Sequence, residues 1–571
     1  SSDYATISDI TISAGDTTGT TVFNPTADST YEGTESATIS ISSVNGGSAT
    51  ENSTPQQVAI SITEYALRLA TTFTDSGNSA SMAARDVYIG FDPVGNSVST
   101  IHPYTLLNIH KAHAYTDGTN YLTGANETIH IADFNCDVNH NTFDGPRTVT
   151  DLDQAIWGAD DENNYHCNLV ASIAAGDDGE YGTDVMMMGV AYESNIVVSS
   201  VPNFDGNSWD DYAVDLDSAR ALGAIVSNNS WSMTQYDEAT DVDTYINANP
   251  SLTAAQVIGA LFSSVNTGTV TSQNTADFQQ YIDAIDNFQT AGGIMVFAAG
   301  NDQTDSDVSA LAALPLWFTN LAEAWITVAY MEVRGSKTIS GSTFYQLSNP
   351  CGQMADKCLV ADAYEIFAAK HYDGTTSNWG KITGGGSSSA SPMVSGIIAL
   401  LNQAFPNHTA EMIRDRILAS ANNSWFTPSA NTTFTTHGSS ITHGYHTTWG
   451  HGIPDAYAAL NPITNNSNPA SSSQSLSLYV GDNLNSQQSR MSLHGSKLKL
   501  GSSFGDKILL TLDGKNAYFY DLLNGGFKFN FTALISNDDK NNYQNLINTL
   551  NFDINRLKTL PSIRKNKAYN Y

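Results

Sequence analysis

The stretch Gly384-Gly385-Gly386-Ser387-Ser388-Ser389-Ala390-Ser391-Pro392 runs straight into Met393–Phe405, a segment that reads as a helix. A glycine-rich loop lets backbone approach a bound molecule closely. Pro392 suits the first turn of the helix, where a missing N–H forfeits no bond. A serine at such a helix start sits at the positive end of the dipole, which favours developing negative charge. Three serines after three glycines is also the composition of a flexible linker. The rest of the chain decides between the two readings.

Three other segments bear on it. Ala298-Ala299-Gly300-Asn301-Asp302 closes a buried apolar run. An Asn amide there can donate to an oxyanion, although Asn-Asp is also an ordinary turn after a strand. His166, in Asn164-Tyr165-His166-Cys167-Asn168-Leu169-Val170-Ala171-Ser172, opens an apolar helical stretch that ends at Gly176; a lone histidine in that place is more often structural. Asp133 follows the strand Ile129-His130-Ile131-Ala132. Its carboxylate therefore lies at a strand's carboxyl end, where parallel sheets bind ligands, or simply terminates the strand in a turn.

The segments sit in a regular pattern. Ile129–Phe134, Ile196–Val201, Ala224–Ser227, Ile294–Ala298 and Trp325–Tyr330 read as buried strands. Between them, Asp277–Ala291 places Phe278, Ile282, Ile285 and Phe288 on one helical face. This alternation over residues 104–460 implies an α/β domain, a mostly parallel sheet flanked by helices. Residues 1–63 differ: Ala37, Ile39 and Ile41 alternate, as do Val58, Ile60 and Ile62, and Asn45-Gly46-Gly47 supplies a turn. That is the period of antiparallel strands in a small β-sandwich fragment. Residues 64–103 connect the two. Residues 461–480 form an Asn, Ser and Pro linker, and 481–571 a strand-rich segment with alternation in Lys528–Leu534 and a loosely ordered Asn-rich tail.

Composition narrows the class. The chain has 571 residues, a formal charge of −33 and half of its 24 Lys and Arg after residue 489. So acidic a body repels phosphate, which argues against a nucleic-acid partner, and the uneven charge marks separate domains. Four cysteines fit two disulfides made in an oxidising compartment, or four buried thiols. No apolar run reaches about 18 residues, so no transmembrane helix is expected. The chain starts at Ser1 without a signal pattern, which reads as a processed or truncated product. No Gly-Lys-Ser/Thr follows the triple glycine, and no dinucleotide fingerprint is present.

Taken together, in the order Asp, His, Asn, Ser, the four segments resemble those of the subtilisin-like serine proteases. Ile131-Ala132-Asp133 resembles the family's Asp strand, His166 with Leu169-Val170-Ala171-Ser172 its His helix, and Ala298-Ala299-Gly300-Asn301 its oxyanion segment. Gly386-Ser387-Ser388-Ser389-Ala390-Ser391-Pro392 resembles its Gly-Thr-Ser-Met-Ala-Ser-Pro box, and Asn229-Ser230-Trp231 the strand lining its primary specificity pocket. The resemblance covers roughly residues 104–460. It implies a peptide-bond hydrolase in which Ser388 attacks, His166 moves the proton, Asp133 orients the imidazole and Asn301 helps hold the oxyanion. Ser230, Trp231, Ser232, Ala299 and Gly300 would bind substrate. The chemistry would require no cofactor, and a structural calcium ion is compatible with the family and the acidity.

The chain also departs from the pattern. His166-Cys167-Asn168-Leu169 stands where the family has His-Gly-Thr-His, and Asp133-Phe134-Asn135 where it has Asp-Thr/Ser-Gly. Ser387-Ser388-Ser389 replaces Thr-Ser-Met, and Ser232 stands where many relatives have Gly, which would tighten the pocket rim. The long interval between His166 and Asn301 implies an insertion within 233–290. A disulfide between Cys136 and Cys167 would brace Asp133 against His166.

A finer resemblance is to the autotransporter branch of Gram-negative bacteria. Asn349-Pro350-Cys351-Gly352 through Cys358-Leu359-Val360-Ala361 looks like its short disulfide loop. Trp449–Ala456 looks like the segment closing its catalytic domain, and Ser496–Leu534, with Phe504-Gly505-Asp506, like the region before its membrane barrel. This implies an extracellular or outer-surface location, with the chain held through a C-terminal barrel. Tyr31-Glu32-Gly33-Thr34-Glu35 and the strand after it resemble the second half of a Calx-β repeat. Two other readings remain: an inert surface adhesin built on the protease fold, and a self-processing protease acting only on its own chain.

Overall fold

The five runs read as buried strands all lie in or overlap strands of one sheet, which has eight strands. They are β1 (Thr128–Asp133), β2 (Val149–Asp151), β3 (Asn195–Ser200), β4 (Val226–Asn229), β5 (Ile294–Ala298), β6 (Trp325–Arg334), β7 (Thr343–Gln346) and β8 (Cys358–Asp362). The order is β7-β6-β5-β4-β1-β3-β2, with β8 also beside β6, and only the β6–β7 pair is antiparallel. β1, β4, β5 and β8 are buried along their whole length. In β5 that burial leaves a continuous apolar run rather than an alternating one. The computed structural model describes residues 103–463 apart from short segments, the longest being 153–164, 202–208, 233–237 and 262–269. Outside that span it describes residues 10, 12, 35–40, 57–62, 477–479, 490–492, 516–521, 523, 525–530 and 553–554.

The sheet order sets where a site can form. The chain leaves β1 for β2 and β3 on one side, and leaves β4 for β5 and β6 on the other. Neighbouring strands whose exits diverge leave a crevice at their carboxyl ends. Asp133 is the last residue of β1, while Ser230 and Ala299 directly follow β4 and β5.

Helices cover the sheet: α1 (His166–Ala175), α2 (Trp209–Ala221), α3 (Ala239–Ala248), α4 (Ala254–Leu261), α5 (Ser272–Thr290), α6 (Ser387–Ala404) and α7 (Ala410–Ala419). α1 packs on α6, and α2 on α5. The interval expected to hold an insertion, 233–290, contains α3 and α4. α5 begins at Ser272, ahead of the expected Asp277, because Thr271 caps it by accepting from the Asn274 N–H at 3.1 Å. Its polar first turn carries no apolar period to read. α6 runs 18 residues, and all but Ser388 and Asn402 are buried. A helix apolar on every side belongs inside. It begins at Ser387 rather than Met393, so the serine run is helix, and Pro392 lies in the second turn rather than the first.

The chain divides into two units, Ser1–Thr71 and Thr72–Tyr571. In the first, Glu35–Ser40 pairs antiparallel with Gln57–Ile62, and the register sets Ala37 opposite Ile60 and Ile39 opposite Val58. The two alternations read from the sequence thus share a face. Ile41, Asn45–Gly47 and Tyr31–Thr34 lie outside the described residues.

In the second unit, contacts among the described residues cross residue 460. Ile463 is buried, and the hairpin Asn516–Tyr520 with Gly526–Asn530 reaches back to α7 through its turn. There Asp521 accepts from Arg416 Nη1 at 2.8 Å and from the N–H groups of Ile463, Leu523 and Gly525 at 2.8, 3.0 and 2.7 Å. Both side chains of this ion pair are fully buried. Phe504–Asp506 and most of the Asn-rich tail lie outside the described residues.

Candidate active site

The aspartate–histidine half comes from β1 and α1. Asp133 is buried at the end of β1. Its Oδ1 accepts from the Phe134 N–H and from His166 Nδ1, each at 2.6 Å. His166 is the first residue of α1 and partly exposed. With Nδ1 donating to the carboxylate, Nε2 is left as the ring's acceptor. Burial disfavours the imidazolium, but the charge of Asp133 and its hydrogen bond outweigh that and raise the His166 pKa above its ordinary 6.5.

The same two chain segments are tied three more times. The Cys167 N–H donates to the Phe134 carbonyl at 3.2 Å, and the Asp137 N–H to Asn168 Oδ1 at 3.0 Å. Cys136 and Cys167 form a disulfide with their Cα atoms 4.8 Å apart. Closing a span of 31 residues removes about 3.5 kcal/mol of unfolded-chain freedom on the entropic account.

Ser388 heads the other half. Pro392 has no N–H to give to the carbonyl of Ser388, one helical turn earlier. The Ser230 hydroxyl takes that carbonyl instead, at 3.0 Å. Its single hydrogen is then used, so Ser230 Oγ accepts from Asn228 Nδ2 at 2.9 Å and from the Ser391 hydroxyl at 2.8 Å. Ser395 closes the set by donating to Asn228 Oδ1 at 2.9 Å. The Ser388 hydroxyl itself donates to the Ser230 carbonyl at 3.1 Å.

Asn301 is locked to the same helix start. Its Oδ1 accepts from the Ser387 N–H at 2.8 Å, which fixes the amide's orientation, because an N–H can only donate. The Nδ2 group, on an exposed residue, meets no acceptor among the described residues. Gly300 has φ +107°, and a Cβ there would lie 2.4 Å from Asn349 Oδ1. Asn349 clamps the turn that follows: it accepts from the Asp302 N–H at 2.9 Å and donates to the Asp307 carbonyl at 3.0 Å. Sequence reasoning missed this clamp, because an Asn before a Pro offers no sign of a partner 47 residues away.

The expected pocket residues fare unevenly. The Trp231 side chain is buried among Trp209, Tyr212 and Phe297, and its Nε1 donates to Asn229 Oδ1 at 3.3 Å. Ala299 is fully buried, with its N–H on the Val328 carbonyl and its own carbonyl taken by Ser309. Both side chains lie in the interior, the indole desolvated among aromatics. Ser230 and Gly300 are buried in the helix-start network, and Ser232 is partly exposed. Cys351 and Cys358 are bridged and buried. Trp449–Ala456 docks on that loop, with the His451 N–H on the Cys358 carbonyl at 2.8 Å.

Among the described residues no three His, Cys, Asp or Glu side chains gather as a metal-ion site. No described helix is long and apolar enough to cross a membrane.

Residues 123–448 match the subtilase family, Peptidase_S8. An extracellular serine protease of Serratia marcescens is 25% identical over 329 residues. That stretch is 52% of this chain and 29% of the relative, so the chain spans less than a third of that relative's length. Among solved structures, fervidolysin from Fervidobacterium pennivorans, a keratinolytic enzyme related to subtilisin, is 19% identical with a TM-score of 0.38, covering 60% of this chain and 43% of its own. MycP1 from Mycobacterium smegmatis is 19% identical with a TM-score of 0.38, covering 65% of this chain and 89% of its own.

Proposed function

The chain belongs to the subtilase family, and from that premise we propose that it is a serine endopeptidase with Asp133, His166 and Ser388 as its triad. The observation that carries this reading is the 2.6 Å bond between Asp133 and His166 at the carboxyl end of the central strand. Opposite it stands a helix whose first turns expose only Ser388.

In the reaction, Ser388 Oγ leaves the Ser230 carbonyl and gives its proton to His166 Nε2 as it attacks a peptide carbonyl. Asp133 holds the imidazole in the required tautomer and stabilises its charged form. The developing oxyanion is met by Asn301 Nδ2 and by the Ser388 N–H, one of the helix-start donors that lack a helical acceptor. His166 then protonates the leaving amine. Water, activated in the same way, frees the acyl group from Ser388. The substrate is a protein or peptide; Ser232 borders the first pocket. The proposed chemistry requires no cofactor, and a calcium ion, if bound, would serve structure only.

The name of the Serratia relative supports an extracellular setting for this chain. The bridged Cys351–Cys358 loop, with Trp449–Ala456 docked on it, supports the autotransporter branch, held at the outer surface of a Gram-negative cell. The antiparallel pair in the first unit supports a partial Calx-β-like module. An inert surface scaffold has one observation in its favour: the Ser388 hydroxyl rests on Ser230 rather than on His166. A fluorophosphonate probe separates the two. The protease labels and the Ser388→Ala variant does not; a folded wild-type chain that takes no label is a scaffold. Cleavage of an unrelated protein in trans excludes action on its own chain alone.

A further inference from the structure

Cys136 follows Asp133 by three residues and Cys167 directly follows His166, so their disulfide joins the two segments that carry the Asp–His pair. The start of α1 needs such a tie. Its N-cap, Tyr165, makes no side-chain capping bond, and the first turn has no acidic residue. Uncapped helix starts fray, and the positive dipole end resists a charge on His166. From Cys167 onward α1 is buried and the helix packs on α6, which leaves His166 as its one residue that is not buried. Asn168 Nδ2 also donates to the Lys370 carbonyl at 3.0 Å; among the ties at the His166 end, the disulfide is the covalent one.

We propose that Cys136–Cys167 is a positioning element of the active site, holding the first turn of α1 against the exit of β1 so that His166 stays on Asp133. This rests on the protease reading above. The charged and titratable groups around that turn are Asp133 and His130 from β1, Asp137 from the loop after it, and Lys370 and His371 from the strand Phe367–Tyr372; α6 contributes none.

The test replaces both cysteines, Cys136→Ser with Cys167→Ser, so that no thiolate adds charge. A group displaced by about 1 Å can cost about a hundredfold in rate. The expected result is a kcat at least about tenfold lower with KM within about twofold, and an acid limb of kcat/KM shifted towards pH 6.5. Replacing Cys351 and Cys358 by Ser is the control and leaves that limb in place. If the double variant does not fold, dithiothreitol on the oxidised protein opens the bridge to two thiols while closing to its own cyclic disulfide. Cys136 is partly exposed, whereas Cys351 and Cys358 are fully buried. An unchanged kcat and acid limb with the bridge open overturns the proposal. Titration of ¹³C-labelled histidine, with the His166 signal assigned by His166→Asn, reads position without catalysis. If the wild type hydrolyses nothing yet its His166 midpoint falls on opening the bridge, the positioning stands and the protease reading fails. A midpoint that stays put overturns the positioning.

Discussion

Asp133 and His166 are joined by one short charge-assisted bond with a disulfide beside it, whereas Ser388 and Asn301 are held by hydroxyls and amides alone. In the first half a covalent bond lies beside residues that depart from the family's pattern, Cys167-Asn168-Leu169 and Phe134-Asn135. The second half has no such tie. Its order depends on every proton having one place to go, from Ser395 through Asn228 and Ser230 to the Ser388 carbonyl. A small hydroxyl lost there leaves a buried carbonyl with no donor.

Substitutions on the two sides test that contrast, from large effects to small. Ser388→Ala or His166→Ala removes the chemistry of either half and lowers kcat on the order of 10⁶-fold, with the double variant no worse than either alone. Asn301→Ala is expected to lower kcat about a hundred- to a thousandfold with KM little changed, as the proposed role of its Nδ2 on the oxyanion requires. Ser230→Ala touches no reacting atom, yet it leaves the Ser388 carbonyl and Asn228 Nδ2 unsatisfied. The expected destabilisation is about 1–3 kcal/mol, read by denaturant unfolding. Pro392→Ala in the same background restores an N–H to that carbonyl and recovers part of the loss.

The smallest effect separates the halves by pH. His166 has a raised pKa, so kcat/KM should fall on acidification through a midpoint above 6.5, where the fold is still intact. The pairing itself stabilises the fold below pH 6.5 and stops doing so as pH rises through the His166 midpoint. Five other histidines act in the opposite direction, each through burial. His130, between Ser227 and Ser199, has its pKa lowered to about 3, His140 and His443 theirs to about 4, and His408 and His451 theirs to about 3. The unfolded chain takes up their protons below 6.5, so stability declines there by up to about 1.4 kcal/mol per pH unit for each. Activity should therefore be lost at a higher pH than the fold, and Tm measured alongside kcat/KM checks the order.

Much of this arrangement was legible in the sequence, and the illegible parts have physical causes. β5 was readable because burial on both faces leaves a continuous apolar run, whereas β4 runs to Asn229, past the expected Ser227, because its polar end is satisfied inside the molecule. Asp133, His166, Asn301 and Ser388 were singled out through residue type and chain order, and the bond between Asp133 and His166 at 2.6 Å joins two of them. The start of α6 was obscured because Gly-Ser composition is shared with linkers, and only the packed interior around Ser387–Ser391 makes it helix. The burial of the Trp231 indole among Trp209, Tyr212 and Phe297 was not legible, because a sequence does not say to which side of a turn an indole swings. Asn349 and Asp521 act on partners 47 and 105 residues away, and no local pattern marks such pairs.

The buried contact between Arg416 and Asp521 bears on how the molecule behaves when cut. Removing Asp521 would strand a guanidinium in the interior, at a cost of about 3–5 kcal/mol. A break in the backbone anywhere between Ile463 and Asn516 removes nothing of the kind, since the carboxylate stays where it is. The two pieces should therefore leave a sizing column together, as a nicked protease that still carries its own C-terminal hairpin as a subunit.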